Sequence, residues 1–360
     1  MVRWICLGFR TSCFGFTVTN WRLIGQDNIV AFLAKSLENG NLCHAYLFSA
    51  PEHSGKTALA IRLAQTLNCI GSDPPCGVCE PCRRIASGIH SDVQVIGLAV
   101  NDEGKSKTEV TIEQIRAINH ASSMPPYEGK CRVFIIEEAD RMSTGAANAL
   151  LKTLEEPPPN VVFVLTTSRE NLVPETVRSR CVKLKLASAP RTEISQYLEK
   201  DLGFSAERAG LLARLSQGRA GWAIIAAADD AVLAERKENL DRFAETLESD
   251  FDFRFELAAR LATRFGKSRV EIYRMLDQWL SFCRDLLLIK LDINDEVVNT
   301  DYMAALERLS SRVGTTEARS IIGSLSNTRQ YLEQNASPRL ALEVLMLGLP
   351  LLGGSLKKSG

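Results

Sequence analysis

The sequence has no surplus of either charge, no long apolar run and few histidines, and each shortage removes a class of protein. Its 360 residues carry 43 basic and 43 acidic side chains, so no overall field draws it to nucleic acid as a stand-alone DNA binder would require. Any contact with DNA must be local or shared with partners. No stretch approaches the roughly 18 uninterrupted apolar residues that suggest a membrane-spanning helix. Residues 1–20 contain Arg3 and a short apolar run broken by Arg10, without a small-residue cleavage site. They read as a disordered arm or an over-extended start rather than a secretory signal. His44, His53, His90 and His120 have no ligand spacing, and structural roles are the default for them.

What remains is an ordinary globular composition, 45% hydrophobic and 24% charged, in a chain long enough for more than one domain. Of the ten cysteines, Cys6, Cys13, Cys43, Cys131, Cys181 and Cys283 are scattered without pattern, a usage that fits the reducing cytoplasm.

Apolar spacing predicts a first helix from Asp27 to Glu38 with Gly40 ending the run. A short strand, Ala45 to Ser49, leads through a turn into a helix with Leu59, Leu63 and Leu67 on one face. Further strands read at Val93–Leu98, Val133–Ile136, Val161–Thr166 and Val182–Leu186. Helical or polar stretches separate them, so the expected fold class is α/β with a parallel sheet. Thr111 with Gln114 forms a capping-box pattern, and Ser143 can cap the helix carrying Leu150, Leu151 and Leu154, which Pro157, Pro158 and Pro159 stop. Beyond about residue 187 the pattern is helical throughout. A small helical domain to about 235 and a larger one after it are expected, then a loose tail from Gly353 to Gly360.

Ala50-Pro51-Glu52-His53-Ser54-Gly55-Lys56-Thr57 has the length of the G-x-x-x-x-G-K-[ST] phosphate loop, with alanine at its first glycine. In such a loop Lys56 reaches the β and γ phosphates, Thr57 holds Mg²⁺, and amides around Ser54 and Gly55 cradle the oxygens. The bland alternative is an exposed helix start. Glu137-Glu138 ends the strand Val133–Ile136, at the edge where open α/β sheets bind ligands. A metal-binding Asp followed by a water-positioning Glu is the usual order there, so Glu137 sets its carboxylate one methylene further out. The alternative is a solvated acidic pair.

Cys69, Cys76, Cys79 and Cys82 form C-x6-C-x2-C-x2-C among turn-forming Gly71, Pro74, Pro75, Gly77 and Pro81. Four thiolates at that spacing suit a closed, tetrahedral, structural Zn²⁺. An iron–sulfur cluster is the rival, without the x3-C-P continuation that ferredoxins carry; metal-free cysteines are the third reading.

With these go Ala146-Ala147-Asn148-Ala149-Leu150-Leu151-Lys152-Thr153-Leu154-Glu155-Glu156-Pro157-Pro158, His44-Ala45-Tyr46-Leu47-Phe48 and Ser179-Arg180-Cys181. On these motifs the chain, strongly from Ile24 to Leu186, resembles bacterial DNA polymerase III clamp-loader subunits, the gamma/tau-related AAA+ family. The resemblance implies an AAA+ P-loop-type parallel-sheet domain over 21–186 with a zinc module at 69–82. A helical lid over 187–235 and an all-α collar over 236–352 follow. It also implies a ring of subunits (gamma/tau, delta, delta-prime) that opens a sliding clamp onto primed DNA, with no membrane.

Within that family the departures favour the delta-prime type over the gamma/tau motor. Ala50 and His53 stand at glycine sites, Glu137 stands for Asp, and Gly221 in Gln217-Gly218-Arg219-Ala220-Gly221-Trp222 takes the place of the γ-phosphate-sensing arginine. If both loop sites need a positive φ, the two non-glycine residues cost about 1 to 2 kcal/mol each, or roughly 30- to 1000-fold in affinity together. ATP with Mg²⁺ in the chain's own site is therefore doubtful. By resemblance Thr166 or Thr167 matches the first sensor, Glu138 the catalytic acid of a degenerate site, and Arg180 the arginine finger that acts in trans. Their bland readings are strand packing for the threonines and a surface salt bridge for Arg180. A zinc-dependent nucleic-acid binding module on an inactive ATPase scaffold is the third reading, which the neutral charge disfavours.

Overall fold

The computed structural model describes residues 21–98 and 109–352. The expectations for residues 1–20 and for the tail from Gly353 lie outside the described residues. The chain divides into two compact units: one runs to Leu202 and takes in Gly218–Trp222, and the other comprises Gly203–Gln217 and the chain from Ala223.

The first unit opens with α1 (Asp27–Glu38), β1 (Ala45–Ser49), α2 (Lys56–Asn68), α3 (Glu80–Ala86) and β2 (Val93–Ile96). It continues with α4 (Ile112–Ser122), β3 (Arg132–Ile136), α5 (Thr144–Glu155), β4 (Val161–Thr167), α6 (Glu175–Arg178), β5 (Val182–Lys185) and α7 (Arg191–Lys200). The five strands form one sheet in the order β2-β3-β4-β1-β5, all pairs parallel. Strand side chains alternate between faces. Tyr46, Phe48, Val133, Ile135, Val162 and Val164 pack with Val30 and Leu33 of α1 and Leu59 and Leu63 of α2. Leu47, Phe134, Ile136, Phe163 and Leu165 pack on the other face with Ile115 of α4 and Leu150 and Leu154 of α5. Burial on both faces is why β1, β3 and β4 read as continuous apolar runs.

Local chemistry ends the elements where the sequence suggests. The Thr111 side chain accepts from the Gln114 amide and the Gln114 side chain accepts from the Thr111 amide, completing a capping box on α4. Ser143 caps α5 through the Ala146 amide, and α5 stops at Glu155, ahead of the prolines. Strand ends shift by a residue or two: β2 ends at Ile96 rather than Leu98, because Gly97 and Leu98 make no ladder, whereas β4 extends to Thr167.

The second unit is helical: α8 (Ala206–Leu215), most of α9 (Ala220–Ala228), α10 (Asp230–Glu248), α11 (Phe251–Lys267), α12 (Arg269–Lys290), α13 (Met303–Ser310), α14 (Thr315–Glu333) and α15 (Pro338–Gly348). Its core runs from Leu240 and Phe243 through Trp279 and Phe282 to Leu342 and Met346. Arg254, fully buried, donates to the carbonyls of Thr246, Leu247, Met346, Leu349 and Pro350. It thereby satisfies the carbonyl ends of α10 and α15 together, the groups a helix leaves unpaired at its C-terminus. Replacing it by an apolar residue strands those carbonyls in the core. Arg254→Met should lower the stability of this unit in urea by about 3 kcal/mol; a loss under about 1 kcal/mol would show that water reaches the carbonyls.

Candidate nucleotide site and cysteine cluster

In a parallel sheet every strand ends at the same edge, so the segments that follow β1, β3 and β4 share one rim. After β1 the loop bends through His53, at φ +59°, and Gly55, at φ +92°. Nothing crowds a Cβ at Gly55, so its backbone angle is the reason for glycine there. The strain expected of two non-glycine residues falls on His53 alone, since Ala50 does not take a positive φ. Ala50 and Ser54 are buried.

The functional side chains of the loop bond to the protein itself. Lys56 Nζ donates to the Ala50 carbonyl at 2.7 Å and the Pro51 carbonyl at 2.8 Å. Burial pushes its pKa down, against the pull of the Glu52, Asp140, Glu138 and Glu137 carboxylates. Thr57 Oγ1 donates to Glu137 Oε1 at 2.5 Å; the longer acid reaches the hydroxyl expected to hold Mg²⁺. Gly97, just past β2, gives Glu137 room, for a Cβ there would lie 3.3 Å from Glu137 Oε2. Glu138 has a left-handed backbone, φ +51°, and is ion-paired with Arg141 at 3.3 Å. Burial raises its pKa despite Arg141, and the nearby acids raise it further.

Thr166 and Thr167 are both buried at the end of β4. Thr167 carries the polar contact: its Oγ1 donates to Asp140 Oδ1 at 2.6 Å and accepts from the Arg169 amide. Asp140 also receives Arg169 at 2.8 Å and is almost fully buried. Sequence reasoning missed Asp140 and Arg169. The available signal was a third acid close behind Glu137-Glu138.

Gly221 sits against the loop: its amide donates to the His53 carbonyl at 2.9 Å. Arg180 lies apart from these groups in the bonding pattern. Its guanidinium holds Glu155 at 2.5 Å and the Thr176 carbonyl at 2.7 Å. The surface salt bridge weighed for it is thus present within this chain.

The four cysteines of the module converge. The sulfurs of Cys69, Cys76, Cys79 and Cys82 lie within 4.8 Å of one another, and Cys69 Sγ is 3.8 Å from Cys79 Sγ. Four sulfurs at about 2.3 Å from one ion stand about 3.8 Å apart along a tetrahedron's edge, so the cluster fits a tetrahedral metal ion. Backbone amides prepare the sulfurs for negative charge: Gly71 N donates to Cys69 Sγ and Cys79 N to Cys76 Sγ, both at 3.3 Å. At Cys79 burial works upward, but amide and thiol hydrogen bonds prevail and hold the pKa at about 6. The sequence marks this segment with turn residues, and the seven-residue α3 within it is too short to carry a periodic signal of its own. Pro81 occupies an early position of α3 that needs no amide.

The cluster is tied to the sheet. Gln65 Nε2, on α2, donates to the Cys82 carbonyl, and Lys130 Nζ donates to the Cys69 carbonyl. Asn68 Oδ1 accepts from the Lys130 and Cys131 amides just before β3. Asp92 accepts from the amides of Tyr127, Glu128 and Gly129 and pairs with Arg132 at 3.2 Å.

The loop between β1 and α2, the acidic pair after β3 and the strand order found here define a parallel α/β sheet unit with the layout of a phosphate-loop fold. Residues 25–190 match the family model described as DNA polymerase III, delta subunit, and residues 233–349 match DNA polymerase III, delta subunit, C terminal. The chain belongs to this family of DNA polymerase III subunits.

Among relatives, the DNA polymerase III subunit delta' of Bacillus subtilis is 28% identical over 326 residues, covering 90% of this chain and 96% of its own length. The tau/gamma subunit of Haemophilus influenzae is 35% identical over 203 residues, 54% of this chain. The chain spans 27% to 47% of the length of that relative and three other tau and gamma subunits. A crystal structure of a gamma-subunit-related protein from Thermotoga maritima aligns over 85% of this chain and 94% of its own, at 19% identity and a TM-score of 0.41. No helix among the described residues is long and apolar enough to cross a membrane.

The sulfur cluster leaves little room to change. A Cβ at Gly71 would lie 3.0 Å from Cys76 Cβ and 3.1 Å from its sulfur. Gly71→Ala should weaken metal binding about 10-fold, by analogy with other outer-shell changes. A chelator competition assay measures this, and unchanged affinity would mean that the Cys76 side chain yields to the added methyl without cost.

Proposed function

We propose that the chain is a delta-prime-like clamp-loader subunit, which supports ATP-driven loading of a sliding clamp onto primed DNA while turning over little ATP itself. The carrying observation is the close approach at Gly221. A Cβ there would lie 2.7 Å from the His53 carbonyl oxygen, so the sensing arginine that the resemblance expects at 221 is absent and has no space. The pairing of Thr57 with Glu137 supports the same reading, as does a delta' relative that matches along nearly its whole length. Partners are then the gamma/tau and delta subunits, the clamp and primed DNA, in the cytoplasm. We assign 187–235 as a lid and 236–352 as a collar that joins subunits. Against the motor reading stands this erosion; in its favour, Lys56, Thr57 and Glu138 keep their places at the ends of their elements.

The cysteine cluster is assigned a structural Zn²⁺. Four protein sulfurs close the coordination sphere, so the ion supplies folding energy and no open position for chemistry. Arg180 is assigned to the neighbouring subunit's ATP site, where a permanently charged guanidinium can stabilise the transferring phosphoryl group. Its pairing with Glu155 must then be exchanged for phosphate on assembly.

These roles separate in three measurements. Elemental analysis should find one zinc per chain; iron in its place overturns the assignment. The isolated chain should hydrolyse ATP at background rate, and steady turnover abolished by Lys56→Ala would instead make it a motor. In the reconstituted complex Arg180→Ala should lower DNA-stimulated ATP hydrolysis and clamp loading, with folding and zinc content unchanged. Related fingers contribute about 10³ to 10⁵ in rate at their own site, diluted in a ring with several sites. Loading at the unmodified rate would reduce Arg180 to a surface residue.

A further inference from the structure

Strand β4 lies between β1, which leads into the phosphate loop, and β3, which leads into Glu137-Glu138. Its last residue touches the loop: Thr167 stands opposite Ser49 in the β1–β4 register, and its carbonyl accepts from the Ala50 amide at 3.2 Å. Lys56 Nζ in turn donates to the Ala50 carbonyl at 2.7 Å. The polar groups at this strand end are held by one acid. Thr167 Oγ1 donates to Asp140 Oδ1 at 2.6 Å and accepts from the Arg169 amide at 3.0 Å. A hydroxyl has a single O–H to give, so Thr167 has no donor left for a ligand. Arg169 meets the other Asp140 oxygen with Nε at 2.9 Å and Nη2 at 2.8 Å. The side chain of Asp140 is 1% exposed, and Thr167 is buried to the same degree, so water does not compete for these bonds.

We propose that Asp140 sets the ligand preference of this site: by holding the donors at the end of β4 it leaves a terminal phosphate unread, so the loop binds a nucleoside diphosphate as tightly as a triphosphate. The proposal rests on the reading of residues 50–57 as a nucleotide loop and goes beyond it in naming the ligand. A phosphate chain held at the loop and extending toward Glu137-Glu138 passes the end of β4, because β4 lies between the two in the sheet. To follow the last phosphate, Thr167 would have to leave a buried carboxylate without its donor. Hydrogen bonds to a charged acceptor are the strong ones, so exchanging one anion for another gains little. Arg169 is held in the same way, by donors that suit carboxylate and phosphate alike. Gly221 has no side chain to offer instead. Asp140 is thus a positioning residue, which acts through Thr167 and Arg169 and touches no ligand itself.

The test is equilibrium binding of a fluorescent ADP analogue to the full chain at one fixed Mg²⁺ concentration, displaced by unlabelled ADP or ATP. The natural chain should bind the two within about 3-fold of each other, and a larger preference for ATP overturns the proposal; this first measurement needs no variant. Asp140→Ala releases Thr167 and Arg169 from the acid and should raise the preference for ATP about 10-fold or more, the effect of one hydrogen bond to a charged group. Loss of a merely structural contact would weaken both nucleotides alike, so the ratio separates positioning from misfolding, and thermal melts check the fold. An unchanged ratio in Asp140→Ala overturns the role of Asp140. Adding Thr167→Val to Asp140→Ala should abolish the gain; a gain that survives upholds Asp140 and assigns the contact to Arg169. Binding of neither nucleotide would mean that residues 50–57 are not a nucleotide loop, and the proposal falls with that reading. ATP turnover by the same samples tests the delta-prime reading separately.

Discussion

Four carboxylates, Glu52, Glu137, Glu138 and Asp140, act on the single ammonium of Lys56, and the rim of the sheet depends on that balance. The parallel order forces it, because β1, β3 and β4 all end on one edge and bring their following residues together. Burial opposes the charge on Lys56 and likewise on Glu138. The loop carbonyls hold Lys56, and the Thr57 hydroxyl gives one Glu137 oxygen a hydrogen bond. A nucleotide with its metal would have to exchange each of these bonds for another.

Helix α2 carries this rim to the cysteine cluster. Its first residues are Lys56 and Thr57; its last turns present Gln65 and Asn68. Gln65 reaches Cys82, and Asn68 fixes the backbone that enters β3, the strand leading to Glu137. A tetrahedral ion held by the four sulfurs would therefore set the far end of a helix whose near end is the loop after β1. Closing the coordination sphere favours this use, since an ion with four protein ligands can position a helix yet has no place for substrate.

Much of this was legible where the signal is local. Continuous apolar runs marked β1, β3 and β4 because those strands are covered on both faces. Side chains that bond three residues ahead revealed the caps at Thr111 and Ser143, and the cysteine spacing marked its cluster. What escaped was pairing across long separations. Asp140 meets Thr167 and Arg169 from another loop, and Glu155 meets Arg180 from another helix. Arg254 binds carbonyls far along the chain. No periodicity records such partners, since each depends on a topology that the residues themselves do not spell. The backbone was harder still: both glycine replacements looked alike in the sequence, yet only His53 occupies a left-handed conformation.

The departures from an ATPase pattern also fall unevenly, and the unevenness separates binding from turnover. Binding a polyphosphate needs cations and free amides at a helix start, and Gly55, Lys56 and the start of α2 retain the backbone for it. Turnover asks more. It needs a metal in near-ideal geometry and an ionised acid to orient water. Of those groups the metal-binding acid has changed: Glu137 stands one methylene further out than Asp and accepts from the Thr57 hydroxyl. Gly221 belongs with the second set, since its contact with His53 exchanges a side chain that could follow the γ phosphate for a backbone hydrogen bond that cannot. Such a bond holds residue 221 against the loop through backbone atoms alone.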